Sequence, residues 1–166
     1  ASLLTGQSLN DNGFLNVNTD TTKAVFVDQD LIEKKKLKAG DIVFLAKGTN
    51  LRAAIVTPEQ EQLNLFAPAT CLVIKVNTSL VLPEFLTVFL NSEYGQAVLT
   101  SLNKGTVIMN IPVSGLKDIE INLPDLSKQE IIAQAFYQHH QALMLLEEMK
   151  KAHLNVMEAT IQKLIA

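Results

Sequence analysis

From Ser127 to Leu164 the chain contains neither proline nor glycine, and Ser127-Lys128-Gln129-Glu130 opens the stretch with the pattern of a helix capping box. In such a box the Ser hydroxyl accepts a main-chain N–H and the Glu carboxylate reaches back. A single helix of this length extends about 55 Å at ~1.5 Å per residue. A compact domain of this size has a radius of gyration of only about 15 Å. Ile132, Phe136, Leu143, Leu146, Met157 and Leu164 fall on one stripe spaced by threes and fours, interrupted by His139, Lys150, His153 and Thr160. An apolar stripe on so long a helix needs cover. Two covers are open: the chain's own domain, or a partner helix in a coiled coil.

The remainder changes character along its length. Asn10-Asp11-Asn12-Gly13 is a turn signal, and Phe14–Val17 and Ala24–Val27 read as short strands. Lys38-Ala39-Gly40-Asp41 turns the chain into an apolar strand, Ile42–Leu45. Lys47-Gly48-Thr49-Asn50 turns it again into Ala53–Val56. Thr70–Val76 is apolar enough for a central strand. Pro83 suits the first turn of a helix carrying Phe85, Leu86, Phe89 and Leu90, with a break near Gly95. Thr106–Pro112 reads as irregular. Ile119, Ile121 and Leu123 alternate with polar residues as in a half-exposed strand ended by Pro124. The expected architecture is α+β: a β-rich domain with short helices over residues 1–124, then a long helix over 125–166.

Bulk properties narrow the function. Of the 166 residues 48% are hydrophobic and 19% charged, which supports a packed core and excludes a disordered chain. The single cysteine, Cys71, lies in an apolar run and reads as a small buried hydrophobe, which rules out an internal disulfide framework and suits a reducing, cytoplasmic setting. No run approaches the ~18 apolar residues of a membrane span. The start, Ala1-Ser2-Leu3-Leu4, has no charged leader and no methionine, which suggests a trimmed chain or fragment.

The motifs of catalysis do not assemble. There is no GxGxxG or phosphate loop and no Asn-Pro-Pro-aromatic tetrad of an adenine methyltransferase. Pro124-Asp125 opens like a nuclease metal motif, but no acidic-x-Lys follows at a suitable distance on a strand. His139 and His140 point about 100° apart on a helix, and His153 lies four turns beyond His139, so no metal set forms. No catalytic residue, metal site or cofactor is expected, and the chain reads as a module that binds.

Its charge is uneven. The formal net charge is -3, unusual for a small DNA binder. Yet Lys34, Lys35, Lys36, Lys38, Lys47 and Arg52 are opposed locally only by Glu33 and Asp41. This face is either solvated or aimed at phosphates. Arg52 is the only arginine. Arginine reads guanine and asparagine reads adenine through paired hydrogen bonds. Thr49, Asn50 and Arg52, clustered on one loop, are the first candidates for base contacts, with Lys104, Thr106 and Asn110 on a second loop.

The order of short motifs carries a resemblance. Leu37-Lys38-Ala39-Gly40-Asp41-Ile42-Val43-Phe44 with Lys47-Gly48, then Leu82-Pro83-Glu84-Phe85-Leu86 with Leu90-Asn91-Ser92, then Gly105-Thr106 through Ile111 come in sequence. They are followed by Leu116, Ile119, Ile121, Leu123-Pro124, Leu126, Gln129 and Ile132-Ala133. From about Gly13 onward the chain resembles the specificity subunit of type I restriction-modification enzymes, and within it one target-recognition domain plus its spacer helix. The family usually carries two such units in a chain, and Asp125 stands where its motif has a second proline. The resemblance implies recognition of double-stranded DNA without catalysis. One domain would read half of a split target, the helix would set the spacing and dock methyltransferase subunits, and those subunits would bind S-adenosylmethionine. One unit per chain implies a homodimer through antiparallel helices and a target that is an inverted repeat with a fixed gap. The rival is a protein-interaction module that assembles through its helix and binds no DNA.

Overall fold

The computed structural model describes residues 1–103 and 108–165. Its strands are β1 (Ser2–Leu4), β2 (Thr22–Ala24), β3 (Ile42–Leu45), β4 (Lys47–Gly48), β5 (Arg52–Ile55), β6 (Leu65–Phe66), β7 (Cys71–Ile74) and β8 (Met109–Asn110). Its helices are α1 (Gln29–Lys35), α2 (Pro58–Glu61), α3 (Pro83–Asn91), α4 (Glu93–Ser101), α5 (Val113–Lys117) and α6 (Leu126–Ile165). The chain divides into two compact units, Ala1–Ala133 and Gln134–Ala166. The fold is α+β with small sheets and a long C-terminal helix.

The first unit is organised around β3. Gly40, at φ +83°, makes the turn before it, and the Asp41 carboxylate accepts the Lys38 N–H at 2.9 Å across the same turn. β3 then pairs antiparallel with β5 on one side and β7 on the other. Alternation sends Val43 and Leu45 into a core shared with Leu4, Leu9, Leu15 and Leu65. Ile42 and Phe44 enter a second core with Leu90, Leu99 and Ile111. Both faces are covered, so all four residues are buried. Complete burial of a side chain such as Ile42 or Phe44 contributes roughly 1.5–3 kcal/mol over exposure.

Two helices close the second face. Pro83 occupies the first turn of α3, as its fixed φ favours. Ser92 both ends α3 and caps α4: its Oγ accepts the Gly95 N–H at 3.0 Å. The break therefore falls at Ser92 and not at Gly95, which lies inside α4. A Cβ on Gly95 would come within 1.9 Å of the Phe89 carbonyl oxygen, so a glycine lets the two helices meet this closely.

Several expectations are corrected. Phe14–Val17 forms no strand; Leu15 and Phe14 make isolated bridges to Leu9 and Ile55. The second early strand is shifted to Thr22–Ala24, paired with β1. β7 lies at the edge of its sheet, because β3 takes the centre. Ile119–Leu123 belongs to no strand, although Ile119 packs on the second core. Its alternation reflects one covered side without a ladder partner. The long helix begins one residue before Ser127. Asp125, not Ser127, caps it: its Oδ1 accepts the Lys128 N–H at 3.1 Å and the Ser127 hydroxyl at 2.9 Å. Asp125 precedes the first helical residue, so its carboxylate is the group that reaches the third N–H.

Candidate functional site

The loop between β3 and β5 carries Thr49 and Asn50, while Arg52, expected on the same loop, is the first residue of β5 and pairs with Leu45; the structure fixes the loop at both ends. At its base Lys47 and Gly48 pair with Asn110 and Met109. Gly48 sits at φ +143°, a conformation that side-chained residues rarely adopt, while the space around it is open. Thr49 and Asn50 form the exposed tip. Leu51 and Ala53 then plunge into the core on either side of Arg52.

The main chain flanking Arg52 is held by helix side chains. Asn91, the last residue of α3, donates from Nδ2 to the Ala53 carbonyl and accepts the Ala53 N–H at Oδ1, each at 2.8 Å. Gln96 of α4 donates from Nε2 to the Leu51 carbonyl at 3.1 Å. The Arg52 side chain is 27% exposed. Its Nη1 donates to Asp11 Oδ1 at 3.2 Å and its Nη2 to the Gly6 carbonyl at 3.5 Å. Its Nε is buried with no partner. Asp11, Thr49, Asn50, Arg52, Asn91, Gln96 and Met109 all line one polar cavity of about 360 Å³.

This cavity gathers Thr49, Asn50 and Arg52, as the sequence grouped them. Lys47 and Asn110 stand opposite each other in the ladder beside it. Lys36 lines a different cavity of about 400 Å³, with Lys34, Lys35 and Lys75. There Lys75 pairs with the buried Asp41 at 2.9 Å, and burial raises the pKa of the Cys71 thiol. The Lys38 side chain is exposed on the turn that precedes β3. Lys104 and Thr106 lie outside the described residues. Asp11, Asn91 and Gln96 were missed by sequence reasoning. Asp11 had only a turn signal, and Asn91 and Gln96 gain their role from α3 and α4 meeting the sheet.

On α6, Phe136 is buried, Ile132 and Leu143 are half-buried, and Leu146, Met157 and Leu164 are exposed. A second apolar row, overlooked in the sequence, runs one residue over through Ile131, Leu145, Met149 and Val156, all exposed, at the same seven-residue period. Ala135, Ala142, Ala152 and Ala159 alternate with it. His140 has its pKa lowered by burial and then by the neighbouring His139. Among the described residues no three of His, Cys, Asp and Glu gather as a metal site. No helix among them is long and apolar enough to cross a membrane.

Comparison with known proteins bears on the family and the fold. Residues 4–156 match the family described as type I restriction modification DNA specificity domain. A solved chain from work on complex assembly and conformational transition of the type I R-M system shares the fold, with a TM-score of 0.64 at 17% identity. The likeness covers 91% of this chain and 38% of that one, so this chain spans well under half of its neighbour's length. No curated protein sequence matches.

Proposed function

The chain belongs to the type I restriction-modification DNA specificity domain family, whose members are non-catalytic recognition modules, and on that premise we propose that it binds double-stranded DNA and reads one half of a bipartite target. The observation that carries this reading is Arg52. The chain's sole arginine is set in a polar cavity beside Thr49 and Asn50, with its flanking main chain fastened by Asn91 and Gln96. Base reading demands side chains held to within a hydrogen bond's tolerance, and a rigid frame supplies that. Lys47 and Asn110, paired on the neighbouring ladder, make backbone and flanking contacts, and Lys104 and Thr106 are assigned the same role from the sequence alone. Lys36 and Lys38 add phosphate attraction, which supplies affinity without sequence preference.

In this reading residues 1–124 form the recognition domain and residues 125–166 the spacer. The exposed Leu146, Met157 and Leu164 support assembly through α6. Two copies lie antiparallel, and methyltransferase subunits that bind S-adenosylmethionine dock on the assembled helices in the cytoplasm. Two-fold symmetry then makes the target an inverted repeat with a fixed gap. Footprinting of the chain with its methyltransferase partner tests this. Two protected blocks of inverted sequence around an unread spacer are expected, and one ungapped asymmetric block contradicts it.

A further inference from the structure

We propose that Arg52 and Asp11 act together as a single reader of a G·C base pair, with Asp11 a specificity-determining residue; this rests on the DNA-binding reading above. Asp11 belongs to the Asn10–Gly13 turn, and its side chain is 89% exposed. An ion pair this open to solvent adds little to stability. The arrangement is nonetheless costly, because Arg52 Nε is the sole buried side-chain N or O atom among the described residues without a hydrogen-bond partner. Native folds rarely leave such a donor unmatched, and the exceptions call for an explanation. Here the outcome is a guanidinium held beside a carboxylate at the wall of a polar cavity, with only one of the carboxylate oxygens engaged by it.

That pairing has a definite complement. Across the major groove a G·C pair presents guanine N7 and O6, both acceptors, and then the cytosine N4 amino donor. With Nε buried, the fork is the Nη1 and Nη2 pair, each keeping one N–H beyond its bond to Asp11 or to the Gly6 carbonyl, and followed by the carboxylate it offers donor, donor, acceptor in matching order. An A·T pair presents acceptor, donor, acceptor, so the second arm of the fork meets an amino group and the carboxylate meets the thymine O4. Asp11 thus rejects as well as selects: facing the wrong pair, it sets a negative charge against an acceptor. It also repels phosphates, which lowers affinity for DNA at large.

The experiment is selection of duplexes from a random pool by the chain in complex with its methyltransferase partner, using wild type, Arg52→Ala, Asp11→Ala and Asp11→Asn. Circular dichroism confirms folding, which the exposure of Asp11 favours. Wild type is expected to enrich a site containing a G·C pair. Arg52→Ala and Asp11→Ala should both relax that same position, with discrimination falling on the order of 10- to 100-fold. Asp11→Ala should also bind unselected duplex more tightly than wild type, and Asp11→Asn, which keeps an acceptor for Arg52 but can offer the thymine O4 a donor, should admit A·T at that position, an effect that mere support of Arg52 does not produce. A wild-type site whose G·C preference survives Asp11→Ala undiminished overturns the proposal and leaves the DNA-binding reading standing. Failure of wild type to enrich any sequence overturns both.

Discussion

The Asn91 carboxamide bonds both main-chain groups of Ala53, at 2.8 Å each, and so serves as a substitute strand for β5 beside Arg52. Ala53 is fully buried, so loss of this amide leaves a buried N–H and a buried carbonyl unmatched. Asn91→Ala should destabilise the protein by roughly 2–4 kcal/mol. Asn91→Asp should also destabilise it, because a carboxylate keeps the acceptor but confronts the Ala53 carbonyl. Chemical denaturation measures both. A change for Asn91→Ala within about 0.5 kcal/mol, the range of an ordinary surface substitution, would show that the amide is not the edge's partner.

Gln129 makes the corresponding tie at the start of α6. Fully buried, it accepts the Leu82 N–H at 2.8 Å and donates to the Leu80 and Pro124 carbonyls at 3.1 and 2.9 Å. Gln129→Glu retains the acceptor and loses both donations, placing a carboxylate against two carbonyls. It should cost more than about 2 kcal/mol in denaturant unfolding, and more at pH 8 than at pH 5, since protonation restores one donor. An equal cost of the substitution, relative to wild type, at both pH values would contradict this assignment.

The cap of α6 responds to acid. Asp125 has its pKa lowered, first by the Lys128 N–H and then by the Ser127 hydroxyl. A carboxylate whose folded pKa lies below its unfolded value contributes stability above the unfolded value, near 3.9. That contribution is lost as pH falls through the folded value. Between pH 7 and pH 3 the melting temperature of wild type should therefore fall further than that of Asp125→Asn, which caps without titrating. Parallel pH profiles for the two proteins would remove Asp125 from the cap.

The sequence revealed what depends on neighbours in the chain. β3 was legible because a Gly40-Asp41 turn precedes four apolar residues, and α6 because nothing within it breaks a helix. Thr49, Asn50 and Arg52 were legible as a group because they lie within four residues of one another, the loop tip leading through Leu51 into Arg52 at the start of β5. Relations between distant segments were not. Cys71–Ile74 reads like a central strand because side chains report covered faces, not the number of strand neighbours. Ile119–Leu123 alternates as a strand does, yet has no ladder. The second row on α6 hid because it shares its period with the first. Asp11 meets Arg52 from 41 residues away, a juxtaposition that only the folded chain creates.

Affinity for duplex DNA as a function of salt tests the central claim most directly. The chain with its methyltransferase partner should bind duplex, with log K falling linearly against log salt at a slope near -0.9 for each phosphate neutralised. Replacing Lys36, Lys38 and Lys47 together by Gln should make that slope shallower by about two to three units. Absence of duplex binding at low salt, with the partner present and the protein folded, would contradict the role of this domain as a reader of DNA.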